Sequence, residues 1–183
     1  MSAVCYTVSP DLRDHAREIA NARLLDSSRH HSAHRPTARN LNSQIRGALG
    51  ELYTRLWLID SGFNVESGFE NDTVLQSDLY VNGWPIEVMT AKISDRLKTQ
   101  FCIPPNKFRA ASNRGAWGYI FAGTDDSDDC DLVVIQGGIQ LSDVAGFPIQ
   151  ETFVNNPKFA VMNYVIPEES LISPHSILES LQS

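Results

Sequence analysis

Two acidic side chains nine residues apart, Asp78 and Glu87, flank an Asn82-Gly83 dipeptide in the stretch SDLYVNGWPIEVMTAK. Asn-Gly between two strand-like runs is the preferred two-residue hairpin turn. That turn pairs Val81 with Trp84, Tyr80 with Pro85, Leu79 with Ile86, and Asp78 with Glu87. Counting outward from a hydrogen-bonded Val81–Trp84 pair, Asp78 and Glu87 form a non-hydrogen-bonded pair, with Cβ atoms about 4.5–5.5 Å apart. Two like charges that close destabilise a sheet unless a cation sits between them. Carboxylate oxygens suit Mg²⁺ or Mn²⁺, which take one or two carboxylates together with waters and phosphate oxygens. Period two places Met89 on the face of Glu87 and turns Lys92 the other way. The competing reading is a surface hairpin with its acids on the solvated side. A register slip of one residue would break the Asp78–Glu87 pairing.

These residues need a scaffold, and the chain has 183 residues to build one, enough for a single domain with one sizeable core. The helix signal in SPDLRDHAREIANARLLDSS has Ser9 as cap, Pro10 in the first turn, and Leu12, Ala16, Ile19 and Ala20 on one face. Residues 27–38 read as a polar loop broken by Pro36. A stronger helix runs through NLNSQIRGALGELYTRLWLIDSGF. Its apolar residues Leu41, Ile45, Leu49, Leu52, Leu56 and Ile59 recur at three- and four-residue steps, and Gly62 supplies a stop. Gly47 and Gly50 each weaken a helix interior by about 1 kcal/mol, which points to close approach of the sheet or of a ligand.

FNVES reads as a short strand, CIPPNKFRAASNRG as a turn and a short helix starting near Pro105 or Asn106, and AWGYIFAGT and CDLVVIQGGI as two buried strands. SDVAGF gives a helical turn, KFAVMNYVIP a strand and SPHSILESLQS a helical tail. The expected fold class is α/β, a mixed central sheet flanked by helices. An N-terminal helix and basic loop (1–39) precede the motif-bearing core (40–140), and a strand and helical tail (141–183) follow.

The net charge of −7 argues against a protein that coats nucleic acid, but the charge is uneven. Residues 27–50 hold Arg29, Arg35, Arg39 and Arg46 and no acid; residues 93–115 hold Arg96, Lys98, Lys107, Arg109 and Arg114 against Asp95, 5 − 1 = +4. Such segments suit a local site for an anionic ligand on a repulsive body. Arg35, Arg39, Arg46, Lys92, Lys107, Arg109 and Arg114 are the candidate DNA contacts, set against plain solvated faces. The acids of DDSDDCD at 125–131 lack the glycine and the bidentate acid of a calcium loop, so they read as a solvated turn. Trp57, Trp84 and Trp117 read as core or cleft-wall residues. Three widely spaced cysteines give neither a disulfide framework nor a metal site, and no secretory signal is visible, so an intracellular setting is expected.

Taken in order, GALGE on a helix, SDLYVNGWPIEV in a hairpin, and the strands WGYIFAG and DLVVIQGGI resemble the PD-(D/E)XK nuclease superfamily over roughly residues 40–140. The resemblance implies a restriction-endonuclease-like fold, Mg²⁺- or Mn²⁺-dependent hydrolysis of DNA phosphodiesters, and a homodimer. Carried over by motif position, Glu51, Asp78 and Glu87 are the catalytic carboxylates and metal ligands, with the Val88 carbonyl as a further ligand. Met89 stands where the family has its lysine, and a thioether can neither orient water nor steady a phosphate. A substitution that silences the enzyme and a cation supplied from elsewhere both accommodate Met89. For the second case Lys92, Lys98 and Lys107 are the candidates. The alternatives to an active nuclease are an inactive module of the same fold that binds DNA or a protein partner, and an interaction protein with no nucleic-acid role.

Overall fold

Ser9 opens the first helix, α1 (Pro10–His30): its Oγ accepts the Leu12 N–H at 3.3 Å and its carbonyl accepts the Arg13 N–H at 3.0 Å. The cap and the buried stripe of Ala16, Ile19 and Ala20 follow the expected pattern. The computed structural model describes residues 3–30, 37–68, 77–93, 100–127, 129–153 and 160–182. Within them α1 runs on to His30, past the start of the expected polar loop, and α2 (Thr37–Asp60) begins three residues earlier than the sequence pattern predicts. Helix α2 stops as expected. Gly62 takes φ +90°, a left-handed conformation a side chain disfavours, and the N–H groups of Gly62 and Phe63 close on the carbonyls of Ile59 and Leu58.

The main sheet has six strands in the order β1 (Val4–Thr7), β7 (Leu132–Gln140), β6 (Gly118–Thr124), β4 (Trp84–Lys92), β3 (Leu79–Val81), β2 (Val65–Ser67). Strands β4 and β6 are parallel and the other neighbours antiparallel, so the sheet is mixed. The hairpin has the expected register from Val81 with Trp84 to Leu79 with Ile86, but the ladder ends there, and the expected Asp78–Glu87 strand pair is not part of it. Asn82 at φ 49° and Gly83 at φ 86° are both left-handed, as a type I′ turn requires.

Helices α1 and α2 cover one face, where Ile86, Val88, Ile120 and Ile135 join Leu49, Trp57 and Leu58 in a core that α5 (Pro174–Gln182) extends with Ile177 and Leu181. The other face, with Met89, Tyr119 and Phe121, packs against a second sheet ordered β5 (Gln100–Ile103), β9 (Ala160–Pro167), β8 (Ile149–Phe153), and against α3 (Pro105–Asn113) and α4 (Leu141–Val144). Parallel strands need a long crossover; here β5 and α3 lie in the crossover from β4 to β6, which carries α3 to the Met89 side of the sheet.

Three strands have no counterpart in the sequence reading. Strand β1 is four residues, β5 lies in a segment whose prolines signalled only a turn, and β8 has no regular alternation. Gly50 is needed where α2 crosses β4, because a Cβ there would stand 2.0 Å from Thr90 Oγ1. Gly47 faces open space, so close approach does not explain it. Among the described residues no helix is long and apolar enough to cross a membrane.

Candidate carboxylate site

Asp78 stands at the mouth of the hairpin, just before β3. Its Oδ2 accepts the Val88 N–H at 2.7 Å, so a side chain ties the end of one strand to the middle of the next. Val88 thus enters the site through its N–H. Glu87, on β4, is held from two sides. The Ser77 hydroxyl donates to its Oε1 at 2.7 Å, and Arg114, the C-cap of α3, donates from Nη2 to the same oxygen at 2.7 Å. Arg114 Nε also reaches Ser77 Oγ at 3.2 Å, which closes a triangle. On the far side, Glu51 of α2 receives both terminal nitrogens of Arg23 of α1, at 2.9 and 2.5 Å.

Burial and charge act on Asp78 together. Removal from water pushes its pKa up most, and the neighbouring charges of Glu51 and then Glu87 push it further; the Val88 N–H and Lys107 pull the other way. The carboxyl ends at about 7. The charges of Glu51, on α2, and of Glu87, on β4, thus both act on the half-buried Asp78.

Lys107 lies in the first turn of α3, and its Nζ is 3.7 Å from Met89 Sδ. Lys107 and Arg114 are seven residues apart, two helical turns, so one side of α3 brings both cations to the carboxylates. The expected alternation along β4 holds. Ile86 and Val88 belong to the core under α2, whereas Met89 packs into the cluster on the α3 side.

The other expected contacts fall out differently. Arg46 is buried, and it donates to Thr124 Oγ1 at 3.3 Å and to the carbonyls of Asp125 and Ser127 at 2.7 and 3.1 Å. It anchors the β6–β7 turn from inside the fold, and these bonds go to the protein itself. Arg114, expected at DNA, is the ion-pair partner of Glu87. Lys92 lies 3.9 Å from Asp126 at the surface, and Arg109 is exposed on α3. Arg39 lies in α2 with its side chain outside the described set; Arg35 and Lys98 lie outside the described residues.

No protein-family model matches this chain, and no curated protein matches it in sequence. The donors of the site are hard carboxylate oxygens, and the repulsion felt by Asp78 is what a divalent cation relieves. The fit is thus one of charge and donor type. In arrangement, Glu51 and Glu87 are turned to arginines, and among the described residues no three His, Cys, Asp or Glu side chains already stand as a metal-binding group. Sequence reasoning missed Arg23 and Ser77. Ser77 adjoins Asp78 and could have been suspected, whereas Arg23 lies 28 residues from Glu51 and has no local signal. Trp84 and Trp117 line a separate cleft of about 400 Å³ with Gln140, Ser142 and Ser180.

Proposed function

We propose that the protein is a metal-dependent deoxyribonuclease of the PD-(D/E)XK type, with a restriction-endonuclease-like fold. The observation that carries this reading is Asp78, a half-buried carboxyl on which the charges of Glu51, Glu87 and, from α3, Lys107 all act. Asp78 and Glu87 would hold Mg²⁺ or Mn²⁺, with Glu51 and the Val88 carbonyl as the further ligands. When bound, the ion would lower the pKa of a water and offset charge on the scissile phosphate.

The chain's own residues divide the remaining work. Asp78 keeps the hairpin mouth closed through the Val88 N–H and supplies the oxygen whose ionisation the site controls. Ser77 fixes the rotamer of Glu87. Lys107 takes the part of the strand lysine that Met89 cannot play, because its ammonium reaches the same face of β4 from the neighbouring helix and can steady the phosphate. Arg109 on the same helix, with Arg35 and Arg39 from the basic segment, supplies the field that draws DNA toward the carboxylates; a second copy of the chain would serve the opposite strand.

One observation favours a second reading. Arg23 and Arg114 neutralise Glu51 and Glu87, which suits a module of this fold that binds DNA without cutting it. Plasmid nicking in Mg²⁺ separates the two. The nuclease reading requires cleavage that Asp78→Ala removes and Lys107→Ala strongly reduces. Salt-sensitive DNA binding with no cleavage by the unaltered protein or by Met89→Lys leaves the binding module. Absence of DNA retardation at low salt overturns both.

A further inference from the structure

Tyr119 stands across from Glu87 in the parallel register of β4 and β6, so the two side chains leave the same face of the sheet. Tyr119 is 1% exposed, yet its hydroxyl has no hydrogen-bond partner among the described residues. A buried hydroxyl without a partner is costly, and a fold that keeps one has a use for it or fills it in another state. The charges of Glu87, Arg114 and Asp78 all act on this hydroxyl, which places it at the carboxylate site. Glu87 Oε1 meanwhile accepts from both Ser77 and Arg114, and Arg114, with a quarter of its side chain exposed, is the partner with a route to solvent.

We propose that Tyr119 is a positioning residue for Glu87: its hydroxyl donates to the Glu87 carboxylate when Arg114 withdraws, so Glu87 keeps its place while its charge becomes available to a divalent cation. Arg114 is then the resting counter-ion, and Tyr119 the donor of the metal-ready state. The donors that remain, Ser77 and Tyr119, are neutral, so the carboxylate keeps its full charge for the ion. Tyr119 touches neither substrate nor metal; it acts through Glu87. The metal half of this inference rests on the nuclease reading above, whereas the exchange of donors on Glu87 does not.

A double-mutant cycle by thermal unfolding, without metal, tests the exchange. Tyr119→Phe alone removes an unpaired buried hydroxyl and is expected to raise Tm by about 2 °C. In an Arg114→Gln background the same change removes a hydrogen bond to a carboxylate and is expected to lower Tm by about 4 °C. An equal rise in both backgrounds overturns the exchange. Mn²⁺ calorimetry gives an independent readout that survives if Arg114→Gln does not fold. Tyr119→Phe is expected to weaken Mn²⁺ binding about tenfold, and Arg114→Gln to tighten it about tenfold. Unchanged affinity in a well-folded Tyr119→Phe protein overturns the role of Tyr119. No Mn²⁺ binding by the unaltered protein sinks the nuclease reading, and the thermal cycle still decides the exchange.

Discussion

Two regions of this molecule gather acids and answer them with arginines, and they do so in opposite ways. In the β6–β7 turn the acids are outside. Asp129 and Asp131 pair with Arg17 and Arg13 while keeping more than half of their side-chain surface in water. Asp125 there satisfies the Asp131 N–H and the Ser127 hydroxyl, and the buried Arg46 binds carbonyls of the same turn. In the carboxylate site the acids are inside. Glu51 and Glu87 are mostly covered, and Asp78 sits between them at a pKa of about 7. The turn has the denser run of acids, yet water, arginines and local hydrogen bonds stabilise the charges of Asp125, Asp129 and Asp131. Desolvation, not acid count, distinguishes a site from a surface.

The largest test of this contrast is Asp78→Ala. It should abolish Mn²⁺ binding by calorimetry and reduce Mg²⁺-dependent plasmid cleavage about 10³-fold, whereas Asp129→Asn should leave both unchanged. Equal effects at the two positions would erase the distinction. Next in size is Lys107→Ala, expected to slow cleavage about 10²-fold with the fold intact by circular dichroism. Met89→Lys added to that variant should restore part of the rate, because it returns the cation to the same face from the strand. No rescue would mean that Lys107 acts on the DNA rather than at the carboxylates.

A third test uses pH. In the folded chain Asp78 ionises at about 7, above the ordinary carboxylate value of about 3.9. Between those values the folded state keeps a proton that the unfolded chain has released. The stability tied to this proton is therefore full below about pH 4, is lost as pH rises through about 7, and is constant above. Asp78→Asn, which can still accept the Val88 N–H, should match the unaltered protein at pH 4 and exceed its Tm by on the order of 5 °C at pH 8. A Tm difference independent of pH would place Asp78 in water after all. The smallest effect is expected at the turn, where Asp129→Asn should move Tm by about 1 °C or less, since exposed ion pairs contribute little.

Gly47 and Gly50 offer a further check on how α2 carries Glu51. Gly50→Ala drives a Cβ into Thr90 and should cost about 1–3 kcal/mol by urea unfolding. Gly47→Ala meets open space and should stabilise the helix by about 0.5–1 kcal/mol.

Local rules made much of this protein legible. The Ser9 cap, the Gly62 stop and the Asn82-Gly83 turn each rest on one or two residues whose conformational preferences are strong, and each stands where the sequence puts it. The turn then set the register as far as Leu79 with Ile86, one pair short of Asp78, whose carboxylate accepts the Val88 N–H instead. The strands that escaped notice, β1, β5 and β8, are short, and they owe their existence to partners distant in the chain. The same holds for the arginines. Arg46 and Arg114 look alike in sequence, both in basic segments, yet one is buried in α2 against the carbonyls of a turn and the other holds a carboxylate.

The sequence by itself determined the local frame: two capped helices, a hairpin with two acids at its mouth, and a methionine on the face of the second. Backbone preference and side-chain period act over a few residues and need no partner. Only the tertiary structure decided which charges are dry and which cation answers which acid. The β4–β6 crossover brings α3 against the sheet, and α2 closes on β4 over Gly50. Those two packings bring Arg114 to Glu87 and Lys107 to Met89 and draw Asp78 partly out of water, because dielectric surroundings are set by what packs together and not by what is adjacent in the chain.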